Sequence, residues 1–342
     1  MYRCRLYKKN KVRNQKKKSK KKFTIILILI VLIICVFQLS FLKENETVMA
    51  IDEKEKNVQE EVQNNEGDKT IEEETEKLEP IEDEKVKDYI NTVVNENGLS
   101  ENNFAFFYYN LDEERYYFYN KNKGFTAAST VKVPIAMLYY DKVANWEINM
   151  ETTYVYGEDD YEEGDEMTAY TYDVWDSIPL DFLITEMIEK SDNTATNILT
   201  SALGGRENYI GNTLNYLEEE ISLPGNFYDE NVTCAKYAFG ILKYLYANSE
   251  KYTELIEHMK LSSYGEYLKE YIDYDVAHKY GSYEGCVHDY GIVYGKTNYL
   301  IGVFTEDVQN AKKLIANISK GILDVNEKNI QPEYPFEMQQ KF

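Results

Sequence analysis

The sequence predicts an α+β domain, a three-layer α/β/α sandwich. Its mainly antiparallel sheet is drawn from both ends of the domain, with an all-helical lobe inserted between them. Three observations lead there. Runs rich in aromatic and β-branched residues sit at 104–109 and 115–119, and again at 275–278, 290–294 and 299–305. Between these two groups the apolar residues recur at helical spacing instead. Each end also carries an amphipathic helix, at 86–94 and 308–322, to cover one face of the sheet while the lobe covers the other. A cleft is expected where lobe meets sheet.

Taken in order, the 342 residues divide into five stretches. Residues 1–22 hold twelve Lys and Arg and no acid. An apolar run follows at once, so the basic tail reads as a cytoplasmic flank, and no nucleic-acid partner is expected. Residues 23–42 are uncharged (FTIILILIVLIICVFQLSFL), enough for a helix to cross a hydrocarbon core of roughly 30 Å. The basic flank predicts a cytoplasmic N-terminus and an extracytoplasmic remainder. The run is too long for a signal-peptide core and no small-x-small cleavage site is evident, so a single uncleaved membrane anchor is expected. Residues 43–81 form an acidic linker of repeated Glu, Lys, Asn and Gln. Such a stretch buries too little apolar surface to offset its ordering entropy and is expected to be disordered. The folded domain is placed at 82–325 and a loose C-terminal tail at 326–342.

Inside the domain, the first helix ends at Asn97-Gly98 and a hairpin turns at Asn110-Leu111-Asp112-Glu113. Gly124-Phe125-Thr126 leads into Ala127-Ala128-Ser129-Thr130-Val131-Lys132, and an apolar helix continues over 133–143. Residues 145–178 are polar and tyrosine-rich. The acids Asp159, Asp160, Glu162, Glu163 and Asp165 fit no calcium-loop spacing and read as a solvated lobe surface. Leu180, Leu183, Ile184, Met187 and Ile188 mark a helical face that runs into Ser191-Asp192-Asn193. The next helix, 195–203, stops at Gly204-Gly205. Helices are expected at 209–220, 235–247 and 254–259, with a turn at Leu223-Pro224-Gly225-Asn226. Gly295-Lys296-Thr297-Asn298 joins the last two strands as a hairpin turn, which puts Lys296-Thr297 away from the cleft. Cys4 and Cys35 lie in the tail and the anchor; Cys234 and Cys286 are either a disulfide or two separate thiols. His258, His278 and His288 are scattered without metal-ligand spacing, so no metal is expected. The 32 tyrosines read mainly as packing residues.

Three segments carry chemistry. In Ser129-Thr130-Val131-Lys132 a helix would set an amine one turn from a hydroxyl. A serine is a weak nucleophile at neutral pH and needs a neighbouring group to take its proton; a buried lysine with a lowered pKa can do so. The bland alternative is a helix N-cap serine with a solvated lysine. The spacing recurs at Ser19-Lys22 and Ser40-Lys43, but only Ser129 follows two strands and opens a helix. Ser191-Asp192-Asn193 interrupts two apolar helices and is either an intrusion into the cleft or a plain helix start. Lys279-Tyr280-Gly281 lies on a late strand.

In this order the three segments resemble those of the penicillin-recognising serine enzymes, class A β-lactamases and D-alanyl-D-alanine peptidases. Residues 189–197 (EKSDNTATN) and the Gly204-Gly205 stop add local matches, and the resemblance spans roughly 82–322. It implies Ser129 as the nucleophile and Lys132 as its base or proton relay. Ser191 is implied to pass a proton to the leaving nitrogen, and Asn193 to bind the substrate amide and hold Lys132. Lys279 is implied to supply charge for a substrate carboxylate, with Tyr280, Gly281 and Ser282 lining the same edge. The backbone N–H groups of Ser129 and Ser282 would form an oxyanion hole. No cofactor is implied; the partners are a β-lactam or a peptidoglycan stem peptide.

The sequence departs from the family twice. Tyr280 stands where the third motif has Thr or Ser, and a phenol cannot occupy the point a short hydroxyl would. The loop that carries a deacylating Glu in class A β-lactamases reads EEEISLPGNFYDE over 218–230. It lacks the pattern and looks shortened, and Glu230 or one of Glu218 to Glu220 is the available substitute. The expected function is a membrane-anchored serine hydrolase acylated at Ser129 by β-lactams or D-Ala-type amides. Its alternatives are a D-alanyl-D-alanine carboxypeptidase or transpeptidase, and a non-catalytic sensor or wall-binding module.

Overall fold

A computed structural model describes residues 80–164, 167–262 and 267–327, all within the unit Lys77–Phe342. The basic tail, the apolar run 23–42 and nearly all of the acidic linker lie outside the described residues. Among the described residues no helix is long and apolar enough to cross a membrane. Ile81, assigned by sequence to the end of the linker, instead opens β1 (Ile81–Glu82), which pairs in parallel with the strand Arg115–Tyr119.

The main sheet comes from the two ends of the domain. After α1 (Glu84–Glu96) come β2 (Phe104–Asn110) and β3 (Arg115–Tyr119). Far along the chain follow β8 (Asp275–Tyr283), β9 (Cys286–Tyr294) and β10 (Asn298–Glu306), then α9 (Ala311–Asn326). Strand order is β1-β3-β2-β10-β9-β8, antiparallel except for the β1–β3 pair. Asn326, placed by sequence in the tail, is the last residue of α9. β8 is longer than expected because its polar half, Lys279 to Tyr283, still pairs with β9; a period-2 apolar pattern is not visible there.

Both faces of the sheet are covered, so its central strand reads as a continuous apolar run. In β2, Phe104, Phe106 and Tyr108 pack toward α1 and α9, while Ala105, Phe107 and Tyr109 pack toward the lobe. Val86, Ile90, Ile315, Ile318 and Ile322 close the terminal-helix layer. Each fully buried side chain of this size stabilises by about 1.5–3 kcal/mol.

The inserted lobe holds α2 (Lys132–Ala144), α3 (Met167–Thr171), α4 (Leu180–Thr185), α5 (Asn193–Ala202), α6 (Arg206–Thr213), α7 (Ala235–Ala247) and α8 (Thr253–Lys260). It is not all-helical. β4 (Phe125–Thr126) pairs with β7 (Val232–Thr233), and β5 (Thr153–Val155) with β6 (Ser177–Pro179). The helix expected over 209–220 ends earlier, since α6 gives way to a short turn at Leu214–Tyr216. Asp160, read as solvated, is buried; it accepts from the Ser201 hydroxyl (2.6 Å) and the Gly157 amide (2.8 Å).

Many tyrosines act as tethers as well as packing. Tyr216 and Tyr252 each donate to Asp141 at 2.6 Å, and Lys251 pairs with the same carboxylate at 2.7 Å. This joins α2 to two segments more than seventy residues away. Cys234 and Cys286 are both free and buried, which settles the disulfide question in favour of separate thiols.

Removing the Asp141 carboxylate orphans two phenols and an ammonium, and hydrogen bonds to a charged group are each worth about 1.5–3 kcal/mol. Asp141→Ala is therefore expected to lower unfolding stability by about 3 kcal/mol, read from the urea midpoint at unchanged slope.

Candidate active site

Ser129 is placed by a short 3₁₀ turn, Ala128–Val131, wedged between β4 and α2. Ala128 sits at φ 48°, the left-handed region that side chains rarely adopt. Its neighbours hold it there. The Ala127 amide donates to the Asn231 carbonyl (2.7 Å), and the Asn231 side chain donates back to the Ala128 carbonyl (3.3 Å). The Thr130 hydroxyl donates to Ala127 O (2.7 Å), and the buried Tyr290 phenol donates to Thr130 O (2.9 Å). Strained backbone retained by surrounding bonds is characteristic of functional sites. One turn on, Lys132 opens α2 and is buried.

His288 anchors the strand before the serine. Its Nε2 donates to the Thr126 carbonyl at 2.8 Å, while its Nδ1 accepts from the Thr305 amide at 3.1 Å. An amide N–H can only donate, so the ring is the neutral Nε2–H tautomer. Burial, the main cause, pushes its pKa from 6.5 down to about 4.

The second segment emerges from a π-helical turn, Glu186–Lys190, a local widening often found at functional sites. Ser191 leaves it at φ 60°, again left-handed. Asp192 pins the turn: it is buried, accepts from the Ala195 amide (2.7 Å) as N-cap of α5, and accepts from the Thr168 amide (2.8 Å). With Asp192 turned inward, Ser191 and Asn193 face the other way.

Gly281 brings β8 against the serine turn. A Cβ built there would lie 2.9 Å from the Ala127 carbonyl and 3.0 Å from the Ser129 amide nitrogen. Only a glycine strand edge fits so close. Ser282 follows it, exposed, on the same edge.

The amines and hydroxyl meet at Ser191. Lys132 Nζ donates to the Asn193 side-chain oxygen (2.6 Å), the Ser191 carbonyl (2.5 Å) and the Ser191 hydroxyl (3.2 Å). Lys279, fully buried, reaches the same Ser191 hydroxyl at 3.1 Å and the Tyr280 carbonyl at 3.3 Å. Two amines therefore share one hydroxyl in a desolvated place. Burial and then the nearby Lys132 hold the Lys279 pKa well below the ordinary lysine value, and the Asp289 carboxylate opposes this. Asp289 is itself buried, with both oxygens within 3.0 Å of His278 Nδ1 and one accepting the Leu268 amide. The cluster can take up a proton at one amine and move it through a hydroxyl to another group.

Of the residues singled out by sequence, Lys132, Ser191, Asn193 and Lys279 are thus joined directly, and Gly281 abuts Ser129. Tyr280 is present but differently used: Lys279 Nζ lies 4.1 Å from its ring centroid. Lys296 pairs with Glu327 (2.9 Å) and Thr297 bonds Asn110 and Asn326, both away from this cluster. The substitute bases of the 218–230 loop are exposed. Glu218 pairs with Lys243 (2.6 Å), Glu219 with Lys236 (2.5 Å), and Glu230 accepts from Asn226 (2.7 Å). Sequence reasoning missed His288, Asn231, Asp192 and Asp289 as positioning groups. Their partners are far apart in the chain, and only Asp192, as a helix N-cap, left a local signal. Among the described residues no group of three or more His, Cys, Asp or Glu is placed to hold a metal ion.

Residues 85–325 match the model of a family described as the beta-lactamase enzyme family. No curated protein matches the chain. Among solved structures, PBP-A is 19% identical with a TM-score of 0.63, over 73% of this chain and 99% of that one. A mutant of PBP-A, solved as an acyl-enzyme complex with penicillin G, aligns at 19% identity and TM-score 0.64 over the same shares. A beta-lactamase from Chitinophaga pinensis DSM 2588 is 18% identical with a TM-score of 0.62, over 70% of this chain and 99% of that one. These structural likenesses establish the fold, with its six-stranded sheet packed between helices.

The His288 assignment carries a pH consequence. Between its folded value of about 4 and its ordinary 6.5 the unfolded chain binds a proton that the folded chain refuses. This contribution is complete above 6.5 and lost as pH falls toward 4, a total of about 3 kcal/mol. Denaturant titrations across that window are expected to show a shallower pH slope for His288→Gln, which keeps a donor and an acceptor but does not titrate.

Proposed function

The chain belongs to the beta-lactamase enzyme family, and from that premise we propose that it is a serine acyl-enzyme former acting on β-lactams or D-Ala-type amides. The observation that carries this reading is the Ser191 hydroxyl, held at 3.2 and 3.1 Å by two lysine amines, one of them a helical turn from Ser129.

In this mechanism Ser129 Oγ bonds to the substrate carbonyl carbon as its proton passes to neutral Lys132. The carbonyl oxygen becomes an anion, and the backbone amides of Ser129 and Ser282 are its donors. On collapse the C–N bond breaks. The proton travels from Lys132 through Ser191 to the leaving nitrogen, which departs as an amine from an open amide or stays tethered in an opened β-lactam, and Ser129 remains acylated. Asn193, bonded to Lys132, holds the amine in place and offers its amide to the substrate. Water must later remove the acyl group. Of the acids in the 218–230 loop, Glu218 and Glu219 are paired with lysines and Glu230 with Asn226, which favours a long-lived acyl-enzyme. That in turn favours a peptidase-like acyl-enzyme over an efficient β-lactamase. We place this domain on the outer face of a membrane, tethered by residues 23–42 through the linker, where a peptidoglycan stem peptide is within reach.

Intact-mass spectrometry of the protein with penicillin G is expected to show one adduct that persists for minutes or longer, and none in Ser129→Ala. Rapid turnover of a chromogenic cephalosporin would instead favour a β-lactamase, and absence of any adduct a non-catalytic module. Gly281→Ala pushes a methyl against the Ser129 amide. Losing one oxyanion donor typically costs about 100- to 1,000-fold, and the acylation rate constant is expected to drop by that factor while the far-ultraviolet spectrum stays native.

A further inference from the structure

Tyr280 changes what the Lys279 ammonium can do. Alternation along β8 sends Ala277 toward the lobe and Val276 toward the terminal helices, and Tyr280 packs with the terminal-helix layer. There its ring stacks on Tyr267, with centroids 5.2 Å apart and planes 11° from parallel. Lys279 reaches over the same ring, its Nζ 4.1 Å from the centroid.

An ammonium has three N–H donors. Two of those of Lys279 are directed to Ser191 Oγ and the Tyr280 carbonyl, and the remaining side of the nitrogen lies against the aromatic face. The residue has no exposed surface. An incoming carboxylate therefore meets the Tyr280 ring, not an open N–H. The negative face of a ring attracts the ammonium but repels an anion. The Tyr267 stack holds the ring where it is, so displacing it means breaking two contacts at once.

We propose that Tyr280, seated on Tyr267, closes the subsite in which Lys279 would bind a substrate carboxylate, so that the enzyme prefers acyl donors that are uncharged there, such as an internal or amidated peptide bond. Lys279 is left to pass protons with Ser191. This deepens the acyl-enzyme reading above and rests on it.

The test compares penicillin G with its methyl ester, as acylation rate constants from intact-mass time courses on the whole protein. The ester is expected to react at least as fast as the acid. Tyr280→Thr opens the ammonium to the anion, and since a hydrogen bond to a charged group discriminates by about 10-fold or more, the acid-to-ester ratio should rise by that factor. A wild-type protein that reacts about 10-fold faster with the acid overturns the proposal, whether or not the variant folds. Equal ratios in wild type and a folded Tyr280→Thr overturn it too. No adduct with either form also overturns it, and labelling at Ser129 by a fluorophosphonate then shows whether the nucleophile reading falls as well.

Discussion

One hydroxyl shared by two buried amines is the constraint around which this domain is arranged. Lys132 and Lys279 come from opposite sides of the cleft, one from the first turn of α2 and the other from the edge strand β8. Two amines in a desolvated space resist both being protonated, because water is not there to screen the charges. The fold tolerates the arrangement by surrounding each nitrogen with oxygen acceptors, Ser191 and Asn193 for one, Ser191 and the Tyr280 carbonyl for the other. A proton is then cheaper to move than to keep, which is what acyl transfer requires.

Holding that geometry demands backbone that is locally unfavourable. Ala128 and Ser191 both take left-handed conformations without being glycine, at a cost of about 1–2 kcal/mol each. The first is clamped by residues distant in sequence, the second by its own chain neighbours. Asn231 and the β8 edge brace the first, while Asp192 and the π-helical turn brace the second. The two faces of the sheet supply the stiffness behind these clamps, because β2 and β10 are packed on both sides by apolar and aromatic side chains. His288 and Asp289, both in β9, extend the same support from below.

Tyr280 is where the third polar segment departs from the pattern it resembles. The proton-relay groups are all present, yet the lysine that would meet a carboxylate lies under an aromatic ring. Glu218, Glu219 and Glu230 of the 218–230 loop are likewise present but bonded to Lys243, Lys236 and Asn226. The groups proposed to form an acyl-enzyme and those proposed to release it are thus built to different degrees.

Much of this was legible in the chain itself, because the signals are local. Helical spacing in 235–247, the turn at Asn97-Gly98 and the aromatic runs of β2 and β10 each reflect a periodicity carried by neighbouring residues. The three polar segments and their order were equally plain. The small β4–β7 and β5–β6 pairs were not, since strands of two or three residues have no period to read. Nor was the burial of Asp160, whose partner Ser201 lies forty-one residues on. The sequence alone determined the layers of the fold and where along the chain the three polar segments fall. Only the tertiary structure decided that the Tyr280 ring lies on the Lys279 ammonium and that the loop acids pair elsewhere. Those contacts depend on angstrom-scale approach between distant segments, and no spacing along the chain encodes that.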